Sequence, residues 1–252
     1  EDFRRCGIGC EAVSRTEKAN TSLAFVALKE DGNREFSFYR KPGADMLLEP
    51  SRILPDWFDD GFGLHFCSVS LGDYPMKESH RQAISLAEKS GMLISFDPNL
   101  RRPLWNDDEA LKKAVLEFLP LADVLKLSDE ELFFLTGCQD IEEARPLLFQ
   151  GRVQLIVYTE GAKGAFACTR EACAQSPGIS VKAVDTTGAG DAFIGSFLYQ
   201  LFSRGLDAKT LSTLSAGDLK TMLDFSNRYC ACSVQKEGAI ASYPAAGDMQ
   251  CP

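Results

Sequence analysis

The segment Asp185-Thr186-Thr187-Gly188-Ala189-Gly190-Asp191 runs directly into the apolar, helix-ready stretch Ala192 to Tyr199. Three small residues in a row let a backbone approach an anion closely. A helix starting there aims its unsatisfied N–H groups and the positive end of its dipole at the same spot. Asp191 then stands at an anion site. A carboxylate beside a bound phosphate is repelled by it, and a chemical role that justifies the placement is accepting a proton from a hydroxyl that attacks a phosphoryl group. Asp is also favoured at helix starts and Gly-rich turns commonly join strands to helices, so the turn by itself is equally compatible with a plain cap.

The elements that must hold this turn follow from the pattern of the chain. From Trp57 onward, strand and helix signals alternate, as in βαβ units built on a mainly parallel sheet. Strands are predicted at Leu64–Ser70, Met92–Phe96, Asp123–Leu127, Val153–Tyr158 and Gly164–Cys168, and helices at Met76–Lys89, about Asp108–Leu119 and Asp218–Gln235. Gly91 ends the first helix, and Ser128 with Glu131 three residues on makes a capping box. Right-handed crossovers bring the strand C-termini to one edge, where ligands of such sheets bind. Asp97, Ser128, Thr159 and the turn from Gly188 to Asp191 all fall there and should line one cleft. Gln175 to Gly178 reads as a loop. Ahead of the alternating part, Ser22–Leu28 and Arg34–Arg40 flank an Asp31-Gly32 turn and predict a hairpin with alternating faces.

Composition bounds the function. At 252 residues the chain is long enough to bury about 70–75% of its unfolded surface in one main domain. A net charge of -9 argues against nucleic acid as a partner, and no uncharged run is long enough to cross a bilayer. The nine cysteines are an odd count in a chain too long to need stapling, so they read as reduced thiols of a cytoplasmic protein. Their spacing lacks the pairs and histidines of a zinc site. His65 and His80, the two histidines, have no evident nucleophile partner and read as structural.

The string from Asp185 to Asp191 resembles the C-terminal signature of the PfkB-type, ribokinase-like carbohydrate kinases, and the likeness covers nearly the whole chain with several motifs in order. It implies an α/β, ribokinase-like three-layer fold with a small β lid at about residues 21–40, with 1–252 forming one kinase domain. It also implies ATP and Mg2+ as cofactors, Asp191 as catalytic base, and Gly188, Ala189 and Gly190 as the anion hole. Val124 to Glu131 resembles the family's Asn-x-x-Glu segment, with Ser128 where Asn is usual and Glu131 ordering magnesium through water; Lys126 and Ser128 fall to the ATP side. Thr159, Gly161 and Gly164 match the turn that approaches the nucleotide, and Asn227 its adenine side. Asp185 and Thr187 match positions that hold a monovalent cation, K+. Each of these also has a plain structural reading, such as a capping box for Glu131 and a Gly-rich hairpin at Thr159.

Within the family, Phe36 to Arg40, Gly43 to Leu48 and Phe96 to Trp105 look most like bacterial and plant fructokinases. That places Phe38, Arg40 and Arg101 at the sugar, fructose. Related 2-keto-3-deoxygluconate kinases use an Arg at the positions of Arg40 and Arg101, which makes them the nearest rival, with ribokinase-type activity behind. An apolar face on the lid makes a homodimer through the lid the expected assembly. Family members normally open with a strand and a sugar-gripping Gly-Gly-Asn segment ahead of the point matching Glu1, so an N-terminally incomplete domain is expected. A kinase-like protein that binds without catalysis is the alternative of another class; the intact Asp191 turn speaks against it.

Overall fold

The computed structural model describes residues 2–28, 34–245 and 249. The chain opens with a single turn of helix, α1 (Asp2–Arg5), then β1 (Leu23–Leu28) and β2 (Arg34–Tyr39), which pair antiparallel as a separate two-stranded sheet. The expected Asp31-Gly32 turn between them lies outside the described residues.

The six remaining strands are β3 (Gly63–Cys67), β4 (Leu93–Asp97), β5 (Val124–Ser128), β6 (Leu155–Thr159), β7 (Gly164–Cys168) and β8 (Cys173–Pro177), side by side in that order. The first four run parallel and the last two continue antiparallel, so the sheet is mainly parallel. The helices are α2 (Pro75–Lys89), α3 (Asp108–Phe118), α4 (Asp129–Thr136), α5 (Ile141–Leu148), α6 (Ala189–Ser203) and α7 (Ala216–Ser233).

Consecutive strand residues point to opposite faces, and both faces are covered, which is why the strands read as continuous apolar runs. Ile94, Leu125 and Ile156 face one core layer with Ile84 of α2, Phe118 of α3, Leu132 of α4 and Ala144 of α5. Their neighbours Leu93, Val124 and Leu155 face the other, with Phe193 and Phe197 of α6 and Met222 of α7. This is a three-layer, ribokinase-like α/β arrangement. Each fully buried Leu, Ile or Phe contributes about 1.5–3 kcal/mol to holding the layers together.

Local signals worked where they had a chemical cause. Gly91 follows α2 with φ of 71°, Asp107 caps α3 by accepting from Ala110 N at 2.7 Å, and the Ser128–Glu131 capping box is present at α4. Three expectations are corrected. Gln175 to Pro177 belong to β8, because pairing with β7 overrides a Ser-Pro loop signal. Helix α5, short and interrupted by Pro146, was not foreseen. The cysteines are not all thiols: Cys168 and Cys173 face each other across the β7–β8 hairpin, with Cα atoms 4.2 Å apart, and form a disulfide. Cys6, Cys10, Cys67, Cys138 and Cys230 are free. No helix among the described residues is long and apolar enough to cross a membrane.

Candidate active site

Register sets the site. Asp97, Ser128 and Thr159 end β4, β5 and β6 at the same edge, with Ser128 opposite Thr159. The turn from Asp185 to Gly188 leads into α6 beside them. Gly188 caps α6 in the left-handed region, with φ of 76°. A Cβ there would stand 2.6 Å from the Tyr243 hydroxyl and 2.8 Å from Ala239, so glycine is demanded by both conformation and space. Tyr243 donates its hydroxyl to the Gly188 carbonyl at 3.1 Å and fixes the turn from behind.

Of the anion-hole donors expected from sequence, Ala189 N–H is already bonded to the Thr186 carbonyl at 3.2 Å. Gly188 and Gly190 N–H have no hydrogen-bond partner among the described residues, and Asp191 N–H joins them. The Asp191 side chain is exposed toward solvent at the mouth of the helix. Asp185 accepts from Thr187 N at 2.8 Å and from Gly238 N at 2.9 Å, tying the turn to the segment after α7.

Beneath the turn is a buried charge cluster. Lys126 Nζ lies 3.0 Å from Asp97, both nearly inaccessible, and a Cβ on Gly190 would come within 3.4 Å of that ammonium. Burial pushes the Asp97 carboxyl up to about 6, with Lys126 pulling the other way and Glu131 and Asp191 adding to the rise. Burial alone would lower Lys126, but Asp97, Glu131 and Asp191 outweigh it and hold it above its ordinary value. The buried Glu131 accepts from Leu100 N at 2.9 Å and Ser128 N at 2.8 Å. It therefore joins the β4–α3 connection to the start of α4 as well as making the capping box. Three carboxylates around one ammonium leave a surplus of negative charge at this edge. No group of three or more His, Cys, Asp or Glu side chains able to hold a metal directly is found among the described residues, so a divalent cation here would be met through its waters.

A cavity of 380 Å3 opens beside the turn, and Thr159, Gly161, Gly164, Ala189, Gly190 and Asn227 all line it. Four of the expected nucleotide residues, Thr159, Gly161, Gly164 and Asn227, thus share one space, while Lys126 and Ser128 are not among its lining. Two of them are partly engaged: Thr159 Oγ1 donates to the Leu127 carbonyl, and Asn227 Nδ2 donates to Ser176 and Pro177, which locks α7 onto β8. Ile179, Val181, Phe193, Cys230 and Val234 complete the apolar lining and were not foreseen: Ile179 and Val181 lie in a loop with no periodicity to read, and Phe193, Cys230 and Val234 come from α6, α7 and the residue after it, whose approach only the tertiary structure sets. Burial pushes the Cys230 thiol up to about 12 and its Sγ donates to the Ala189 carbonyl, so it packs as a neutral group.

The sugar-side residues separate. Arg101 follows β4 and donates to the Leu100 carbonyl at 2.9 Å, and Cys67, at the end of β3, feels its charge together with those of Asp97 and Asp191. His65, on the same strand, feels Asp191 and hydrogen-bonds Ser95 at 3.1 Å. Arg40 is buried in a pair with Asp45 and donates to the Tyr74 hydroxyl at 3.2 Å. With Phe38 it lines a different cavity, on the α2 and α3 side.

Known proteins match this arrangement. Residues 1–246 match the family described as pfkB family carbohydrate kinase. The chain is 40% identical over 249 residues to a probable fructokinase-5 of Arabidopsis thaliana, covering 98% of this chain and 75% of that protein. Among solved structures, fructokinase with bound ATP from Xylella fastidiosa superposes with a TM-score of 0.91 at 35% identity. Fructokinase from Vibrio cholerae O395 in its fructose, ADP and calcium ion bound form gives 0.87, also at 35% identity. Each of these two comparisons covers 98% of this chain and 77% of the other.

Proposed function

The chain belongs to the pfkB family of carbohydrate kinases, and from that premise we propose that it transfers the γ-phosphoryl group of ATP to a hydroxyl of D-fructose, giving fructose 6-phosphate and ADP. The observation that carries the reading is the placement of Asp191 directly after Gly190, which lines the cavity, with the N–H groups of Gly188 and Gly190 unpartnered among the described residues. Fructose as the acceptor is supported by the similarity to fructokinases of plants and bacteria.

In the proposed mechanism, ATP lies in the cavity lined by Thr159, Gly161, Gly164 and Asn227, with its γ-phosphate at the start of α6. Asp191 accepts the proton of the sugar hydroxyl as that oxygen attacks phosphorus, and the bond from phosphorus to the ADP oxygen breaks. The N–H groups of Gly188, Gly190 and Asp191, with the helix dipole, hold the charge that grows on the phosphoryl oxygens. The Lys126 ammonium adds its field from below. Magnesium, when bound, neutralises the phosphates, and Asp97 and Glu131 are the residues that would order its waters. Asp185 and Thr187 would hold K+ beside the turn, where Asp185 already organises the backbone. Arg101 reaches the acceptor sugar, while Phe38 and Arg40 carry the hairpin that covers it. The exposed Leu23, Phe25, Val26 and Tyr39 of that hairpin are the surface through which two copies would pair.

The test is ADP release coupled to a detecting enzyme, with fructose, ribose and 2-keto-3-deoxygluconate as acceptors. Fructose is expected to be turned over fastest. Faster release with 2-keto-3-deoxygluconate would reassign the substrate to an acid recognised through Arg101, and release with none would favour a non-catalytic binding protein.

A further inference from the structure

The second cavity, of 470 Å3, lies between the hairpin, the turn after β3, the connection from β4 to α3, and α3 itself. It shares no lining residue with the nucleotide cavity or with the cluster of Asp97, Lys126, Glu131 and Asp191. Its volume is that of an ordinary small-molecule site, about 300–1,000 Å3.

The chemistry of its walls is uneven. Four cations and two carboxylates line it, on a chain whose net charge is -9. Arg40 is matched by Asp45, and Lys77 is matched by Glu117 at 2.8 Å. Lys41 and Lys113 are exposed and have no ion-pair partner among the described residues; Asp73 is the one lining carboxylate left to oppose them. Trp105 also lines the cavity, and its indole N–H is buried with no hydrogen-bond partner among the described residues. Apart from Asn106, the rest of the lining, including Leu71, Tyr74 and Leu104, is apolar or aromatic and suits a ring.

We propose that this cavity binds a phosphomonoester carried on a sugar or nucleoside ring, with the phosphate between Lys41 and Lys113 and the ring against Trp105 and Tyr74. Two unmatched ammonium groups call for an acceptor-only anion, and the apolar wall calls for more than phosphate alone. Such a molecule touches the hairpin through Phe38 and the β4–α3 connection through Trp105, so its occupancy couples the two elements that carry the proposed sugar contacts.

The experiment uses the full chain with Trp57→Phe, which leaves Trp105 as the sole indole. Its fluorescence is titrated with fructose 6-phosphate, with AMP and with inorganic phosphate, and the titrations are repeated in Lys113→Glu and Lys41→Glu. Saturable change with fructose 6-phosphate, weakened about tenfold or more by either reversal, supports the site and assigns a sugar ring. The same behaviour with AMP supports it and assigns a nucleoside ring. No change with either, change that both reversals leave intact, or binding of inorganic phosphate as tight as that of the esters overturns the proposal. Lys41 and Lys113 are exposed, so thermal melting of the variants should match the parent.

Discussion

Lys126 Nζ, from the middle of β5, lies 3.0 Å from the carboxylate of Asp97 at the end of the adjacent parallel strand β4, under the Gly190 turn. Two buried opposite charges in contact are poor evidence of net stabilisation, but each makes the other tolerable. Removing one partner strands the other in a low-dielectric interior.

Lys126→Met is therefore expected to lower stability by about 3–5 kcal/mol, because it leaves Asp97 without its counter-charge. The double variant Lys126→Met with Asp97→Asn should recover most of that loss while remaining inactive. Urea denaturation and turnover measured on the same samples check both halves. A double variant no more stable than Lys126→Met would show that the pair is not the cause.

The cluster also sets a pH dependence. Asp97, raised to about 6 chiefly by burial, should be needed in its ionised form, so turnover is expected to fall as pH drops through about 6. Because Lys126 lowers the Asp97 value, any residual activity of Lys126→Met should show its acid limb displaced to higher pH. Stability has the opposite sign. The folded protein binds this proton more tightly than the unfolded chain does, so Asp97's contribution is greatest below the ordinary carboxylate range and is lost as pH rises through about 6. Chemical denaturation and kinetics across pH 4.5 to 7.5, a range set by that value and the usual carboxylate range, separate the two effects.

For Asp191→Asn we expect turnover to fall by about a hundredfold or more, the usual contribution of a positioned general base, with ATP affinity nearly unchanged. Near-normal turnover in steady-state assays would remove Asp191 from the proposed role.

Gly188→Ala places a Cβ against Tyr243 and Ala239 at a backbone conformation that L-residues resist. A cost of about 1–3 kcal/mol and a weakened nucleotide site follow. Combining it with Tyr243→Phe removes the hydroxyl that the Cβ meets and should restore part of the stability but not the backbone angle. Isothermal titration with ATP and thermal melting report on each.

On the proposed pairing of two copies through the hairpin, Phe25→Ser should favour the monomer in sedimentation, since Phe25 is among the most exposed large apolar residues of the hairpin. A parent that sediments as a monomer would remove the hairpin as a pairing surface.

Much of the architecture was legible in the residues. Alternating apolar strands and capped helices announced a mainly parallel sheet, and the capping box at Ser128 and Glu131 marked the start of α4 to the residue. These signals are local, carried by side chains within four positions of one another. What escaped had no local cause. β8 forms because β7 offers it a pairing edge, and the Cys168–Cys173 disulfide because that register sets the two opposite. Arg40 read as an available guanidinium, yet Asp45 and Tyr74 already hold it.

The chain by itself determined the candidate catalytic turn: glycine at 188 and 190 and an acid at 191, at the start of an apolar helix, are what a proposed anion site with a base beside it requires. Only the tertiary structure decided what surrounds that turn. It placed Lys126 beneath Gly190, left N–H groups of Gly188, Gly190 and Asp191 without partners among the described residues while closing that of Ala189, and set Arg40 in a cavity away from the turn. The reason is physical. Backbone conformation and helix dipoles are written in neighbouring residues, whereas burial, counter-charges and cavity walls are made by segments far apart in sequence that meet only when the sheet is assembled.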